Sequence, residues 1–403
     1  MDKSSRVRVI GPLAPHAVGF GKELRRQGYM VNSASDQLRL VAHVSRWLVS
    51  RGLSVEELTP VRVEEFLVDR RAEGYTLWLS AKAMGPMLGY LRALGVVPTP
   101  APRIPATEAD VLHEDYRVYL VRERGLAPGT IAAYLHVARL FCAARAVDGN
   151  LNLEHLSAAE VTGFVLAECA PRTVGSAKYV VCGLRSLLRY LYAAGHTPAQ
   201  LEAAVPKVAG WRLAGVPVSF GRAEVSRLLA SCDRRCTFGR RDYAVLSLLS
   251  RLGLRAGEVA ALGLDDIDWR AGELVVRGKG RRQERLPLPT DVGEALAGWL
   301  RRGRPRCDST AVFTRVRAPH RPLTSGGVSA IVRAACGRAG LPELSAHRLR
   351  HSAATEMLRA GASLTEVGQV LRHVSVLTTA IYAKVDRDRL RTLALAWPGT
   401  ATS

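Results

Sequence analysis

Two proline-rich stretches interrupt a chain of 403 residues that otherwise favours helix. The first, VVPTPAPRIPATEADV at residues 96–111, has four prolines between Pro98 and Pro105. Proline lacks the backbone N–H that helices and sheets use, so an extended linker is predicted there. The second, VPKVAGWRLAGVPVSF at residues 205–220, combines proline with glycine and has little apolar periodicity, which also predicts an irregular connection. The chain is therefore predicted to fold as three pieces.

The first two pieces resemble each other in sequence. LTPVRVEEFL (58–67) matches LSAAEVTGFV (156–165), and LGYLRALGVVP (88–98) matches LRYLYAAGHTP (188–198), at offsets of 98 and 100 residues. Each piece has an amphipathic helix after a Thr or Ser cap, and a later helix that ends at glycine. We interpret the two pieces as helical units of one type in tandem.

The third piece begins with helices and then changes its hydrophobic period. RAEVSRLLASC and RRDYAVLSLLSRLGLRAGEVAAL have apolar residues at three- and four-residue spacing, which predicts helices. GELVVRGKGRRQERLPL (272–288) alternates on both sides of a Gly-Lys-Gly turn, which predicts a hairpin or a short meander. The predicted domains are an N-terminal helical domain at 1–100 (a duplicate of the next unit), a Pro-rich linker at 101–110, a second helical domain at 107–205, an α+β domain at 215–395 and a tail at 396–403.

Basic side chains far outnumber acidic ones in this chain. The 57 Lys and Arg residues against 36 Asp and Glu give a formal net charge of +21 and a pI near 10.3. Only seven of the 57 are lysine, which is typical of a GC-rich genome, but codon bias exchanges Lys for Arg without creating an excess of charge. A globular protein this basic typically binds a polyanion. Nucleic acid is the expected partner, and an anionic membrane surface is the alternative.

The cysteines and the apolar runs exclude several other classes of protein. The seven cysteines stand singly, at Cys142, Cys169, Cys182, Cys232, Cys236, Cys307 and Cys336. No signal-peptide pattern precedes them, so reduced thiols and a cytoplasmic, nucleoid-associated location are expected. No second Cys or His pair follows Cys232 and Cys236 at zinc-ligand spacing, so no metal site is expected. No apolar run approaches 18 residues, so no membrane span is expected.

Four stretches of the third piece contain residues suited to phosphate chemistry: GLRAGEVAAL with Arg255 and Glu258, the turn with Lys279, HRLRH with His347, Arg350 and His351, and LRHVSVLTTAIYAKV with His373 and Tyr382. The i, i+3 and i, i+4 spacing in HRLRH places its three side chains on one helix face. The histidine pair lacks the glutamate of an H-E-x-x-H zinc helix. Arginine forks bind phosphate oxygens, Lys and His move protons, and deprotonated tyrosine is a nucleophile. The set favours attack on a phosphodiester without a metal.

Lys279 is unusual in a chain that uses arginine for nearly every basic position. After Gly215 the chain has two lysines, Lys279 and Lys384. An arginine cannot give up a proton at neutral pH, whereas a lysine can. A lysine at this turn is therefore interpreted as a candidate general acid rather than an ordinary exposed turn residue.

These stretches resemble the tyrosine recombinase, or phage integrase, family. Its pattern is Arg, Lys, His-x-x-Arg, His or Trp, and Tyr, and this chain has GLRAGE, HRLRHSAAT and a tyrosine nine residues after His373 in that order. The likeness is close over residues 220–391. Residues 107–197 look like the family's helical core-binding (SAM-like) domain, and residues 1–100 look like an extra copy or an arm domain. The implied fold is mainly α with a small antiparallel β-sheet in the C-terminal domain: tandem helical DNA-binding domains, then an α+β catalytic domain.

The resemblance implies a site-specific DNA recombinase, integrase- or transposase-like, that needs no metal, cofactor or ATP. Strands would be cleaved and rejoined through a 3′-phosphotyrosyl bond, which keeps the energy of the cleaved linkage. The resemblance implies that Arg255 and Arg350 clamp the phosphate and that Lys279 protonates the leaving 5′ oxygen. It implies that Tyr382 is the nucleophile, with His347 assisting proton movement at the tyrosine. His373 would donate a hydrogen bond to a phosphate oxygen. Glu258 would brace the site by holding His347 or a nearby backbone group, and His351 is expected to be a supporting, packed residue.

One position departs from the family's pattern. The family usually has Leu-Gly-His before the tyrosine, whereas this chain has Leu371-Arg372-His373. Glycine there suits a left-handed helix end, and arginine in that conformation costs about 1 kcal/mol. Two outcomes are expected: the backbone turns another way, or Arg372 accepts the strain and adds a contact to a DNA phosphate.

Two other functions stay open at this point. A non-catalytic DNA-binding accessory factor would have no need of Tyr382, and a type IB topoisomerase-like relaxing enzyme shares the chemistry. Tandem helical units and the absence of a long linker before the tyrosine favour the recombinase. Exchange of two duplexes needs four cleavages, so the expected assembly is a homotetramer on two double-stranded DNA sites. The segment after the tyrosine is predicted to form a helix that docks on its own domain or on a neighbouring protomer, with an apolar face of Leu390, Leu393, Leu395 and Trp397.

Overall fold

A computed structural model of the chain describes residues 7–100, 107–146, 150–209, 219–278 and 283–372, together with Thr379 and Tyr382. These residues form fifteen α-helices and one three-stranded sheet. Contacts divide the chain into two compact units, residues 1–99 with 215–403, and residues 100–214. No α-helix in the described ranges combines the length and the apolar character that a membrane crossing requires.

The first four helices pack around their own hydrophobic cluster, which includes Leu24, Leu40, Leu48 and Leu67. They are α1 (Ala14–Arg26), α2 (Val31–Ser50), α3 (Pro60–Ala72) and α4 (Ala81–Ala93). Trp47 of α2 contacts the Phe66 ring edge-on at 5.7 Å and donates its indole N–H to Asp69 at 2.7 Å. The ring contact and the indole hydrogen bond together hold α2 against α3.

The next four helices enclose a second cluster, built on Tyr116, Leu120, Leu184 and Leu191. They are α5 (Glu108–Arg122), α6 (Pro128–Arg145), α7 (Ala158–Cys169) and α8 (Val174–Ala193). Tyr116 is buried in this cluster and its hydroxyl is hydrogen bonded to Ser186 at 2.9 Å. Burial raises the pKa of the Tyr116 hydroxyl well above its ordinary value, which fits a structural side chain.

The two four-helix sets have matching helix ends. The Thr59 hydroxyl caps α3 and the Ser157 hydroxyl caps α7, each by accepting the backbone N–H three residues later. At the other end, the turn after α4 closes with the Val96 N–H on the Leu91 carbonyl, and the turn after α8 closes with the His196 N–H on the Leu191 carbonyl. These equivalent bonds stand about 100 residues apart, as do the matching sequence stretches.

The remaining helices surround the sheet. They are α9 (Arg222–Ala230), α10 (Thr237–Arg251), α11 (Ala256–Ala261), α12 (Thr290–Arg302), α13 (Ser325–Arg338), α14 (Ala346–Arg359) and α15 (Leu364–Val370). Strands β1 (Ile267–Asp268), β2 (Glu273–Arg277) and β3 (Gln283–Pro287) form an antiparallel sheet in the order β1-β2-β3. Leu274 pairs with Leu286, and Leu274 and Val276 are buried as the alternation predicts. The predicted hairpin is confirmed, and its turn residue Lys279 lies outside the described residues.

A small hydrophobic cluster brings the C-terminal elements to α14. It consists of Ala354 and Leu358 of α14, Val367 of α15, Leu371 and Tyr382. Apolar side chains at i and i+4 of α14 share one face, and that face holds both the end of α15 and the tyrosine ring. The same helix therefore positions Tyr382 and carries the HRLRH residues.

Candidate active site

Helix α14 presents three basic side chains on one face within its first two turns. Ser345 precedes the helix, and His347, Arg350 and His351 follow on one side of it. The His347 and His351 rings contact edge-to-face with centroids 4.5 Å apart. Burial, aided by the nearby Arg350 charge, lowers the pKa of His347, so the imidazole is neutral at pH 7.

Arg350 is a buried cation, with 1% of its surface exposed. Its Nη1 donates to the Gly253 carbonyl at 2.6 Å, and its Nη2 donates to the Leu371 carbonyl. Burial first, and then repulsion from Arg255 and Arg372, lowers the pKa of Arg350 to about 10. Burial of a guanidinium against carbonyls and beside two other arginines is costly unless an anion joins it. Arg350 is therefore a candidate for binding an anion.

Arg255 and Glu258 lie at the start of α11, next to this site. Glu258 Oε2 accepts the Arg255 backbone N–H at 2.8 Å, and Oε1 accepts Arg255 Nη1 at 2.6 Å. Burial alone would raise the pKa of Glu258, but the Arg255 backbone N–H and the charges of Arg372 and Arg255 hold it below its usual value. Glu258 is therefore ionised and fixes Arg255 in place. It braces the backbone of residue 255, which is the second of the two contacts expected from the sequence.

Arg372 has a left-handed backbone and a buried side chain. Its φ is 56°, and its N–H bonds to the Gln369 carbonyl at 2.9 Å, so the α15 end turns as it would with glycine. The side chain is 4% exposed and donates through Nη2 to Glu258 Oε2 at 2.8 Å. The backbone at residue 372 therefore accepts the left-handed conformation rather than turning another way. The Arg372 side chain contacts Glu258 inside the protein, and is not at the surface.

Tyr382 is buried at 1% exposure and its hydroxyl is hydrogen bonded to His351 Nδ1 at 2.7 Å. Burial raises the pKa of Tyr382 to about 12, against the opposing pull of Arg350 and Arg255. Burial, then His347 and the arginines at 348 and 350, lowers the pKa of His351 to about 4. At neutral pH a protonated phenol therefore faces a neutral imidazole, which is the pair needed for a proton transfer.

Six of the eight residues singled out in the sequence are brought together here: Arg255, Glu258, His347, Arg350, His351 and Tyr382. Lys279 and His373 lie outside the described residues, as does the apolar segment from Leu390 to Trp397. The contact with the Tyr382 hydroxyl is made by His351, which was expected to be a packed supporting residue, while His347 contacts the His351 ring.

Sequence reasoning missed the pairing of Arg372 with Glu258. The signal that could have found it was the arginine at a position that prefers glycine. A strained residue is retained when its side chain makes a contact that offsets the strain. Among the described residues, no group of three or more His, Cys, Asp or Glu side chains is arranged to hold a metal ion.

Comparisons with known proteins point to one family. The model of the phage integrase family matches residues 220–389. The chain is 43% identical to the predicted integrase/recombinase y4rA of Sinorhizobium fredii, with 97% of this chain and 96% of that one covered. It is 30% identical to tyrosine recombinase XerD of Listeria monocytogenes, with 70% of this chain and 96% of that one covered. A solved lambda integrase tetramer bound to a Holliday junction has a similar fold, with a TM-score of 0.52 at 17% identity, over 76% of this chain and 85% of that one.

The chain belongs to the phage integrase family of tyrosine recombinases. Members of that class are enzymes that transfer DNA strands, so the predicted enzyme class is confirmed. The predicted fold class, mainly helical with a small antiparallel sheet in the C-terminal part, is confirmed as well.

Proposed function

We propose that this chain is a site-specific DNA recombinase that cleaves and rejoins strands through a 3′-phosphotyrosyl bond at Tyr382. The observation that supports this most strongly is the environment of the Tyr382 hydroxyl. It is hydrogen bonded to the neutral imidazole of His351 and lies within reach of the charges of Arg350 and Arg255. A nucleophile, a proton acceptor and two phosphate-binding cations thus surround one point.

Cleavage begins with transfer of the phenol proton and attack of the phenolate oxygen on phosphorus. The P–O5′ bond breaks as the O–P bond to Tyr382 forms, and the leaving 5′ oxygen takes a proton, for which Lys279 is the proposed donor. In the rejoining step a 5′ hydroxyl attacks the phosphotyrosyl phosphorus, and the tyrosine oxygen regains its proton. Each step exchanges one phosphodiester for another, so no ATP is consumed.

Arg255 and Arg350 supply the electrostatic part of the catalysis. The five-coordinate phosphorane carries one more negative charge than the phosphodiester from which it forms. Guanidinium groups already fixed by Glu258 and by the Gly253 and Leu371 carbonyls need no reorganisation to stabilise that charge. Each is worth about 3 kcal/mol by analogy with oxyanion-hole donors. His373 is proposed to add a hydrogen bond to a phosphate oxygen.

The net charge of +21 fits an extended contact with duplex DNA. The two helical sets, α1–α4 and α5–α8, are the proposed DNA-binding domains, at 1–100 and 107–205, that precede the catalytic domain at 215–395. Strand exchange between two duplexes needs four tyrosines, so a homotetramer on two sites is proposed, as in the lambda integrase complex. An enzyme that acts on chromosomal DNA in this way would work on the nucleoid.

A nicked duplex pool with randomised arms tests the function and finds the DNA site together. The nick lets the short 3′-side fragment diffuse away after cleavage, so the covalent adduct accumulates. Adducts that resist SDS are recovered, and their DNA is sequenced. Two plasmids that carry the recovered site are then incubated with the protein. Joined plasmids support a recombinase; relaxed plasmids without joining indicate a topoisomerase-like enzyme, and a pool that is bound but never linked indicates an accessory factor.

A further inference from the structure

Arg372 accepts an unfavourable backbone in order to place a charge inside the protein. Its φ of 56° is a conformation that side-chain-bearing residues rarely adopt. Its guanidinium donates to Glu258 Oε2 at 2.8 Å and to the Val370 carbonyl at 3.1 Å. Its Nε atom is buried and has no hydrogen-bond partner in the described part of the chain. Glycine would adopt this backbone without strain, and the arginine side chain is not fully hydrogen bonded. Backbone conformation and hydrogen bonding therefore do not explain an arginine here, and its positive charge is the remaining property.

The charge of Arg372 changes what Glu258 does to Arg255. Glu258 offers one oxygen to Arg255 Nη1 at 2.6 Å and the other to Arg372 Nη2 at 2.8 Å. With an uncharged residue at 372, Glu258 would neutralise Arg255 alone. The three guanidinium groups of Arg255, Arg350 and Arg372 against one carboxylate instead leave the cluster with a net charge of +2, which equals the charge of the phosphorane with opposite sign.

The backbone at this turn also orients both proposed clamp arginines. The Arg372 carbonyl accepts from Arg255 Nη2 at 3.4 Å, and the neighbouring Leu371 carbonyl accepts from Arg350 Nη2. Arg255 has 40% of its side chain exposed, whereas Arg372 has 4%. Arg255 is therefore able to meet a phosphate from outside, and Arg372 lies behind it.

We propose that Arg372 is a positioning residue for the DNA phosphodiester: it shares Glu258 with Arg255, so that Arg255 meets the phosphate as a full positive charge. This rests on the proposed function of Tyr382. Arg372 acts through Glu258 rather than by touching the phosphate. Its effect should thus be smaller than that of a direct donor, about 10- to 100-fold in the cleavage rate.

A pair of substitutions separates this role from a purely structural one. Single-turnover adduct formation is measured on the nicked substrate for wild type, Arg372→Gln and the double variant Glu258→Gln/Arg372→Gln. Arg372→Gln lowers the cluster charge to +1 and should slow cleavage about 10- to 100-fold. The double variant restores +2 and should regain most of the rate, because a glutamine at 258 still accepts the Arg255 backbone N–H. Arg338→Gln, which removes the Asp242 ion pair on α10, is the matched control and should react like wild type.

A neutral substrate supplies the second readout. A methylphosphonate at the scissile position lacks one charged oxygen, so the loss in Arg372→Gln should shrink there, whereas a lost packing contact would slow both substrates equally. Arg372→Lys keeps the charge and should stay within about fivefold of wild type even if Arg372→Gln fails to fold.

Four results would overturn the proposal: a wild-type rate in Arg372→Gln, no recovery in the double variant, an equal loss in Arg372→Gln on the methylphosphonate substrate, or a loss in Arg372→Lys above about tenfold. The proposed function fails separately, if wild type forms no adduct or if Tyr382→Phe still forms one. DNA binding by gel shift is recorded for every variant, and it should not change in Arg372→Gln.

Discussion

The His351 imidazole and the Tyr382 hydroxyl form a hydrogen bond of 2.7 Å inside the C-terminal part of the chain. His351 is one helical turn from His347 and next to Arg350, so α14 holds the proposed proton acceptor and the proposed phosphate-binding cation at neighbouring positions. The Leu358 and Ala354 side chains of the same helix belong to the hydrophobic cluster that includes Tyr382. The relationship makes His351, rather than His347, the residue through which the tyrosine proton is expected to leave.

Replacement of His351 tests this assignment directly. His351→Gln should slow adduct formation about 100-fold, the usual contribution of a positioned proton acceptor, because the buried phenol would have no neutral imidazole to take its proton. His347→Gln is the matched variant one turn away and should be less damaging. Single-turnover rates on the nicked duplex decide between them. A larger loss in His347→Gln would return the role to His347.

The same histidine should make stability depend on pH. The folded pKa of His351 is about 4 and its ordinary value is 6.5, so between these values the unfolded chain binds a proton that the folded chain does not. Stability is therefore complete above pH 6.5 and falls as the pH drops towards 4, by about 1–3 kcal/mol. Between pH 6.5 and 4, the melting temperature of His351→Gln should fall less steeply with decreasing pH than that of wild type. An equal dependence of melting temperature on pH in the two proteins would contradict the buried, neutral histidine.

Substitution of Arg350 should reduce DNA cleavage much more than DNA binding. Arg350→Ala removes a buried cation of the phosphate site while most other basic residues remain, so gel-shift affinity should change little and cleavage should fall about 100- to 1,000-fold. Arg359→Ala, on the same helix, removes an exposed ion pair with Glu356 and is the control. The melting temperature is measured for both, because Arg350 also holds the Gly253 and Leu371 carbonyls. A folded Arg350→Ala protein that cleaves normally would remove Arg350 from the clamp.

The proposed role of Lys279 is tested by changing the leaving group of the DNA substrate. Lys279→Ala should cleave a normal 5′-oxygen substrate slowly, since no side chain protonates the departing alkoxide. A 5′-bridging sulfur leaves without a proton, so this substrate should restore cleavage in Lys279→Ala to nearly the wild-type rate. Lys384→Ala changes the other lysine after Gly215 and should need no such rescue. A Lys279→Ala protein that is equally slow on both substrates would argue against a general acid.

The sequence predicted the fold class, which is confirmed, and it singled out the candidate site residues, because both depend on local patterns. Alternation around 272–288 predicted the β2–β3 hairpin, and the spacing of HRLRH placed three side chains on one helix face. The contacts between elements could not be predicted in this way. Arg372 and Glu258 stand 114 positions apart, and their pairing depends on where the turn after α15 lies relative to the start of α11. The choice of His351 over His347 as the neighbour of Tyr382 likewise depends on where the tyrosine ring packs on α14.

The most direct test of the central claim is to identify the residue that becomes linked to DNA. Wild type, Tyr382→Phe and Tyr179→Phe are incubated with the nicked duplex recovered from the randomised pool, and adducts are separated in SDS. Tyr179 is an exposed tyrosine on α8 and serves as the matched control. Wild type and Tyr179→Phe should form the adduct, Tyr382→Phe should not, and peptide mapping should place the nucleotide on Tyr382. An adduct that persists in Tyr382→Phe, or a nucleotide mapped to another residue, would contradict the assignment of the nucleophile.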